Sequence, residues 1–271
     1  MKKLVIALCV LLLLVGCGGK EKPTDDKKLI VSCTLDPHSK ILEFVKPILK
    51  EKYGISLEIV ILDDYFVFNK ALDVGEVDAN YFQHVPFFRS EVANNGYKIE
   101  NAIGIHIEPF GFYSKTVKSL ADIKDGATII ISDAAADFAR ILKILESYGL
   151  ITLKPGLDPL EVTFADIVTN PKNLKFKEIK NDLLVTAYEN GEGDIVAING
   201  NKALEAGLSP TKDAVMVEKA TSDNPYVNIV AIKAGTADLA KIKALIEVMG
   251  SQEVKDFIIK TWTDGSVIPA E

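Results

Sequence analysis

Seven side chains hold the chemistry of this chain: Tyr65, Phe82, His84, Asp137, Arg140, Asn199 and Asn228. A guanidinium, a carboxylate, an imidazole, two amides and two aromatic rings can together grip a zwitterion that carries an apolar side chain. Arg140 falls near the start of an expected helix, where the macrodipole disfavours a cation by a few tenths to ~1 kcal/mol. A ligand carboxylate in the guanidinium fork would offset that cost, and so would solvation or a pairing with Asp137. Asp137 has two readings of its own, as acceptor for a ligand ammonium or as partner of Arg140.

Tyr65 and Phe82 are suited to sandwiching a thioether, since sulfur–aromatic contact adds ~0.3–1.5 kcal/mol, although an aromatic at a strand end is more often core. His84, between Gln83 and the helix-starting Pro86, is placed to donate a hydrogen bond. Asn199 and Asn228 each close an apolar run. A buried amide left without a partner costs ~1–3 kcal/mol, so each is expected to have one.

Catalysis has less to stand on. The chain has no Gly-x-Ser-x-Gly elbow, no His-x-x-x-His helix, no phosphate loop and no dinucleotide fingerprint. Its three histidines, His38, His84 and His106, do not cluster with cysteines at ligand spacing, so no metal and no cofactor are expected. His38 and His106 read as loop residues. Asp78 and Asp194 each occupy a turn before a strand and read as structural rather than as a catalytic pair.

The elements that position these groups come in two similar runs. Gly75-Glu76-Val77-Asp78 is an acidic turn into a short strand ending at Phe82, Gln83 and His84, and Gly191-Glu192-Gly193-Asp194 leads likewise through an apolar run to Asn199. Ahead of the first turn lie a strand at 29–34, a helical stripe of Ile41, Leu42, Val45, Ile48 and Leu49, a strand at 57–62 and a helix at 65–74. Ahead of the second lie a strand at 128–131, a stripe of Phe138, Ile141, Leu142 and Leu145, a strand at 174–179 and a helix at 182–189. Such alternation predicts an α/β protein of two lobes, each a mostly parallel sheet flanked by helices. Lobe one is expected at 29–110 plus 226–271 and lobe two at 111–225, joined by connecting strands at 107–113 and 224–228. In open parallel sheets ligands sit beyond the C-terminal strand ends, which here face the crevice between the lobes.

The first residues give an address. Lys2 and Lys3 precede an apolar run from Leu4 to Val15, which has the form of a signal peptide over 1–16 and is short of the roughly 20 residues a membrane span needs. Leu14-Val15-Gly16-Cys17 has lipobox spacing, so Cys17 is the expected lipidated N-terminus, anchored by diacylglycerol and acyl chains, with a flexible polar tether over 17–28. Gly18 after that cysteine favours an outer membrane if the organism has one, and otherwise the outer face of the cytoplasmic membrane. Cys9 leaves with the signal, and Cys33 is left as a buried apolar residue with no disulfide partner. The net charge of −7 becomes more negative once the two leader lysines go, which argues against a nucleic-acid partner.

Further motifs lie along the whole chain: Asp64-Tyr65 with Asn69, Gly75-Glu76-Val77-Asp78-Ala79-Asn80 running into Phe82-Gln83-His84-Val85-Pro86, and Tyr113-Ser114-Lys115 with Ser119-Leu120. Asn170-Pro171-Lys172-Asn173-Leu174, Gly207-Leu208-Ser209-Pro210 and Asn224-Pro225-Tyr226-Val227-Asn228 follow. In these the chain closely resembles the methionine-binding lipoproteins of the NlpA lipoprotein family from the lipobox onward. The resemblance implies a two-lobed periplasmic-binding-protein fold, type II-like. It implies a monomeric, lipid-tethered binding component that delivers methionine, a related amino acid or a short peptide to an ABC permease. It further implies that Tyr65 and Phe82 flank the ligand side chain and that His84, Arg140, Asn199 and Asn228 hold the head group.

Two stretches depart from the family pattern. Ala135-Ala136-Asp137 stands where the family typically reads Pro-Thr-Asn, and Gly200-Asn201 differs from the common residues after Asn199. A carboxylate at 137 would weaken a bound carboxylate unless it faces the ammonium or Arg140 neutralises it. A surface lipoprotein of the same fold serving in adhesion or as a scaffold is the alternative.

Overall fold

The computed structural model describes residues 27–219, 221 and 224–271. The expected signal peptide, Cys17 and most of the expected tether lie outside the described residues. Lys28, expected as the last tether residue, already opens the first strand.

In chain order the elements are β1 (Lys28–Cys33), α1 (Lys40–Tyr53), β2 (Ser56–Ile61), α2 (Tyr65–Val74), β3 (Ala79–His84), α3 (Val85–Asn95), β4 (Ile99–Ile107) and β5 (Gly111–Tyr113). Then follow β6 (Thr128–Ser132), α4 (Phe138–Ser147), β7 (Thr152–Leu153), β8 (Ile167–Thr169), β9 (Lys175–Ile179), α5 (Leu184–Glu189), β10 (Ile195–Ile198) and α6 (Gly200–Glu205). β11 (Met216–Val217), β12 (Asn228–Lys233), α7 (Ala240–Met249), α8 (Gln252–Thr261) and β13 (Ile268–Pro269) complete the chain.

One sheet runs β13-β4-β12-β3-β1-β2 and the other β11-β5-β10-β6-β9, with β7 and β8 as a separate hairpin pair. Both contain the same arrangement: three parallel strands (β2-β1-β3, β9-β6-β10), then an antiparallel strand laid against the third (β12, β5). The α/β reading holds, but the sheets are mixed rather than mostly parallel, because each is closed by strands that arrive from the other half of the chain. The chain passes between the sheets at 108–110 and at 218–227. The expected connecting strand at 107–113 is therefore two strands of different sheets with a short crossing between them. β4 escaped the sequence reading because Glu100 and Asn101 interrupt its apolar run.

The repeated acidic turns have one physical job. Asp78 Oδ2 accepts from Ile30 N at 2.9 Å while Asp78 N donates to Ile30 O at 2.8 Å, clamping the start of β3 onto β1. Asp194 does the same to Thr128, at 2.7 and 2.9 Å, clamping β10 onto β6. Gly75, with φ of 78°, turns α2 into the first clamp in the left-handed region that a side chain would resist.

Each sheet has its own core. Ile41, Leu42, Val45 and Leu49 on α1 are fully buried against β1 and the terminal helices, and Ile141, Leu142 and Leu145 on α4 against β6 and β10. Truncating such a residue to alanine costs about 2–5 kcal/mol. Cys33 is fully buried in the first core and burial pushes its thiol up to about 12, as a small apolar residue should behave. No described helix is long and apolar enough to cross a membrane.

Candidate functional site

All seven candidate residues line one crevice between the sheets, with Gln83, Phe87, Glu108, Ala134, Gly200 and Asn201. β3 delivers the first group. Behind its end, Asn69, Asn80 and Gln83 form a buried amide cluster in which Asn80 Nδ2 donates to Asn69 Oδ1 at 2.9 Å and Gln83 Nε2 to the same oxygen at 2.6 Å. That cluster ties α2 to β3 and so fixes where Tyr65 and Phe82 stand.

Tyr65 and Phe82 are edge-to-face neighbours with ring centroids 5.8 Å apart, and Phe82 stacks on Phe68 at 4.0 Å. With Phe87, 6.0 Å from Phe82, they make a single aromatic wall. Tyr65 and Phe82 thus meet edge to face and present a wall rather than two parallel faces.

His84 caps α3: its Nδ1 accepts from Phe87 N at 3.1 Å. An accepting Nδ1 puts the ring hydrogen on Nε2, which donates to Asp137 Oδ1 at 2.9 Å across the crevice. Asp137 closes the short turn Ala135–Asp137 ahead of α4. It makes no direct ion pair with Arg140, one of the two partners expected from the sequence.

Arg140 is buried in the first turn of α4, with 4% exposure. Its partner is Glu218, which no local signal near residue 140 foretold. Nε lies 3.1 Å from Glu218 Oε1 and Nη2 2.5 Å from Oε2, while Nη2 also donates to Glu108 O at 2.7 Å. The Tyr226 ring covers the guanidinium at 4.5 Å. Burial would pull the Arg140 guanidinium down, but the Glu218 carboxylate beside it wins and raises it; Glu218 in turn is held below its ordinary value despite burial. The two crossings thus converge on Arg140, the first through Glu108 and the second through Glu218.

Asn199 and Asn201 flank the start of α6. Asn199 Nδ2 donates to Tyr65 OH, and Tyr65 OH to Asn201 Oδ1, both at 2.8 Å. Asn199 Oδ1 and Asn201 Nδ2 are buried without a hydrogen-bond partner. An acceptor and a donor are therefore left unpaired on two residues that line the crevice. Between them Gly200 allows a close approach, because a Cβ there would overlap Glu108 Cβ.

Asn228 opens β12 in register with His84 on β3 and His106 on β4, and its Oδ1 lies 3.2 Å from His38 Nε2. His38 and His106, expected in loops, are both wholly buried. His38 Nδ1 meets Thr34 Oγ1 at 2.7 Å, His106 Nδ1 meets Tyr81 OH, and His106 Nε2 meets Glu108 Oε1 at 2.7 Å. Burial pushes His38 down to about 4 and His106 to about 3, so both are neutral near pH 7, while burial raises Glu108 against the pull of His38 and Arg140. Nitrogens and oxygens of His38, His106 and Glu108 lie within 4.8 Å of one another, a spacing compatible with a metal. Every one of those atoms is already engaged in this chain of hydrogen bonds, which accounts for the cluster without an ion.

Glu108, Asn201 and Glu218 are the site residues the sequence reading missed. His106-Ile107-Glu108 on a strand end puts His106 and Glu108 on one face, a signal that alternation alone offers. Glu218 offers none, being far from Arg140 along the chain.

Two mixed α/β sheets with a polar and aromatic crevice between them, crossed twice by the chain, define a cleft-type binding protein. Comparison with known proteins narrows the class. The family model for NlpA lipoproteins matches residues 29–271. A methionine-binding lipoprotein, MetQ of Bacillus subtilis, is 48% identical over 274 residues, covering 99% of each chain. The crystal structure of a putative methionine-binding lipoprotein from Bacillus subtilis superposes with a TM-score of 0.86 at 50% identity, covering 90% of this chain and 98% of that one. A nutrient-binding protein from Burkholderia cenocepacia, solved bound to methionine, superposes with a TM-score of 0.82 at 37% identity, covering 90% of this chain and all of that one. The chain belongs to the NlpA lipoprotein family.

Proposed function

We propose that this protein is the lipid-anchored solute-binding component of an ABC importer, capturing methionine or a related amino acid or short peptide. The observation that carries the reading is the convergence of Tyr65, Phe82, His84, Asp137, Arg140, Asn199 and Asn228 on one crevice. The relatives named above, one a methionine-binding lipoprotein and one solved bound to methionine, support the choice of ligand. Arg140, Asp137, His84, Asn199 and Asn228 hold the head group, and the aromatic wall takes the apolar side chain. An adhesive or scaffolding lipoprotein would need no such crevice.

In this reading residues 29–110 with 226–271 form one jaw and 111–225 the other. Ligand binds one jaw, and the other closes about the crossings at 108–110 and 218–227. Only the closed form docks productively on the permease. Cys17 carries the lipid, the protein acts as a monomer, and Gly18 sends it to an outer membrane if the cell has one. Mass spectrometry of small molecules released by denaturing freshly purified protein tests the ligand: an amino acid or short peptide supports the reading, and its consistent absence, with no binding of added amino acids below millimolar, ends it.

A further inference from the structure

Glu218 already occupies the charged edge of Arg140 that a ligand carboxylate would otherwise use. It takes Nε and Nη2 together, and Glu108 O takes the remaining direction of Nη2. Glu218 is itself held in place, accepting from Phe110 N at 3.2 Å and from Asn224 Nδ2 at 3.1 Å. The guanidinium charge is thus balanced by an internal carboxylate before any ligand arrives.

What else faces the crevice is richer in acceptors than in cations. The Asp137 carboxylate stands at its rim, with His84 spending its single ring hydrogen on it. Asn199 Oδ1 is a buried acceptor without a partner, suited to an N–H. Asn201 Nδ2 is a buried donor without a partner, and a neutral carbonyl satisfies it as well as a carboxylate does. No lysine lines the crevice.

We propose that this site selects its ligands on the α-ammonium and not on the α-carboxylate, so that its ligand class extends to α-ammonium compounds whose carboxyl is amidated, esterified or continued by a peptide bond. The inference rests on the proposed amino-acid binding and deepens it. Asp137 and Asn199 Oδ1 receive the ammonium; Asn201 Nδ2 receives a carbonyl oxygen; Arg140, its charge screened by Glu218, adds a single-nitrogen contact through Nη1 that a neutral carbonyl also accepts.

The test is titration calorimetry on the whole exported chain, freed of co-purified ligand, with L-methionine, L-methioninamide and N-acetyl-L-methionine. The amide is expected within about tenfold of methionine and the N-acetyl compound at least about a hundredfold weaker, since only the latter loses a charge-assisted hydrogen bond. In Glu218→Gln the guanidinium loses its internal counter-charge, and the preference for methionine over its amide is expected to rise about tenfold. An amide that binds more than tenfold weaker than methionine to the unaltered protein overturns the inference and leaves the proposed function standing. So does a preference that Glu218→Gln leaves unchanged. Failure of methionine itself to bind below millimolar sinks both.

Discussion

His84 Nε2 and Asp137 Oδ1 lie 2.9 Å apart, one at the end of β3 and the other ahead of α4, so a single hydrogen bond joins the rims of the two sheets. Tyr65 OH with Asn199 and Asn201 makes a second bridge, and Lys202 Nζ with Asp63 a third. Three side-chain bridges thus span the crevice.

Asp137→Asn keeps an oxygen for His84 and removes the charge. Ligand affinity is expected to fall by at least about tenfold, because the partner of the ligand ammonium becomes neutral, while stability changes by less than about 1 kcal/mol. Calorimetry paired with urea unfolding checks both halves.

Arg140→Met strands the Glu218 carboxylate in a site where it is 10% exposed. Removing one partner of a buried pair costs about 3–5 kcal/mol, so the urea midpoint should drop sharply. The double variant Arg140→Met with Glu218→Gln should recover part of that loss, a recovery visible in the same unfolding curves.

Gly200→Ala places a methyl group where Glu108 Cβ already stands. Under the proposed clamping, the close approach of Gly200 to Glu108 is then blocked. Solution scattering of the variant should show a larger radius of gyration with ligand than the unaltered protein shows, and affinity should fall at least about a hundredfold, the closure contacts being lost.

Acid should destabilise the fold through His38 and His106. Both fall from an unfolded 6.5 to about 4 and about 3, so the unfolded chain binds protons first as pH drops. Stability is therefore full above 6.5, declines as pH falls through the interval beneath it, and levels off below about 3. Glu108, raised by burial, works in the opposite sense, adding stability in acid that is lost as pH climbs through its folded value. Urea midpoints measured from pH 7 to pH 4 should fall, and His106→Gln should flatten the slope.

Much of this site was legible because its residues close regular elements. Phe82 and His84 end a strand announced by a glycine-acid turn, and Asn199 ends the matching one, so periodicity alone put them at one edge. Arg140 was found by its discord with the helix start, yet its partner was not, because Glu218 reaches it only after the second crossing has folded back. The same return of chain explains the sheets: β12 and β5 insert antiparallel strands that no local pattern of β1 or β6 contains. His38 and His106 misled because polar neighbours, Asp36 and Glu108, gave them the look of loops, while each imidazole in fact finds a hydroxyl and an acceptor inside the first lobe.

The central claim is that the crevice at Arg140, Asp137 and His84 holds one amino acid. Titration of the ligand-free protein with L-methionine measures it most directly. One molecule bound per chain below millimolar, with affinity lowered at least about tenfold in Asp137→Asn, is the expected result; no binding of methionine or any other amino acid in that range would contradict the account.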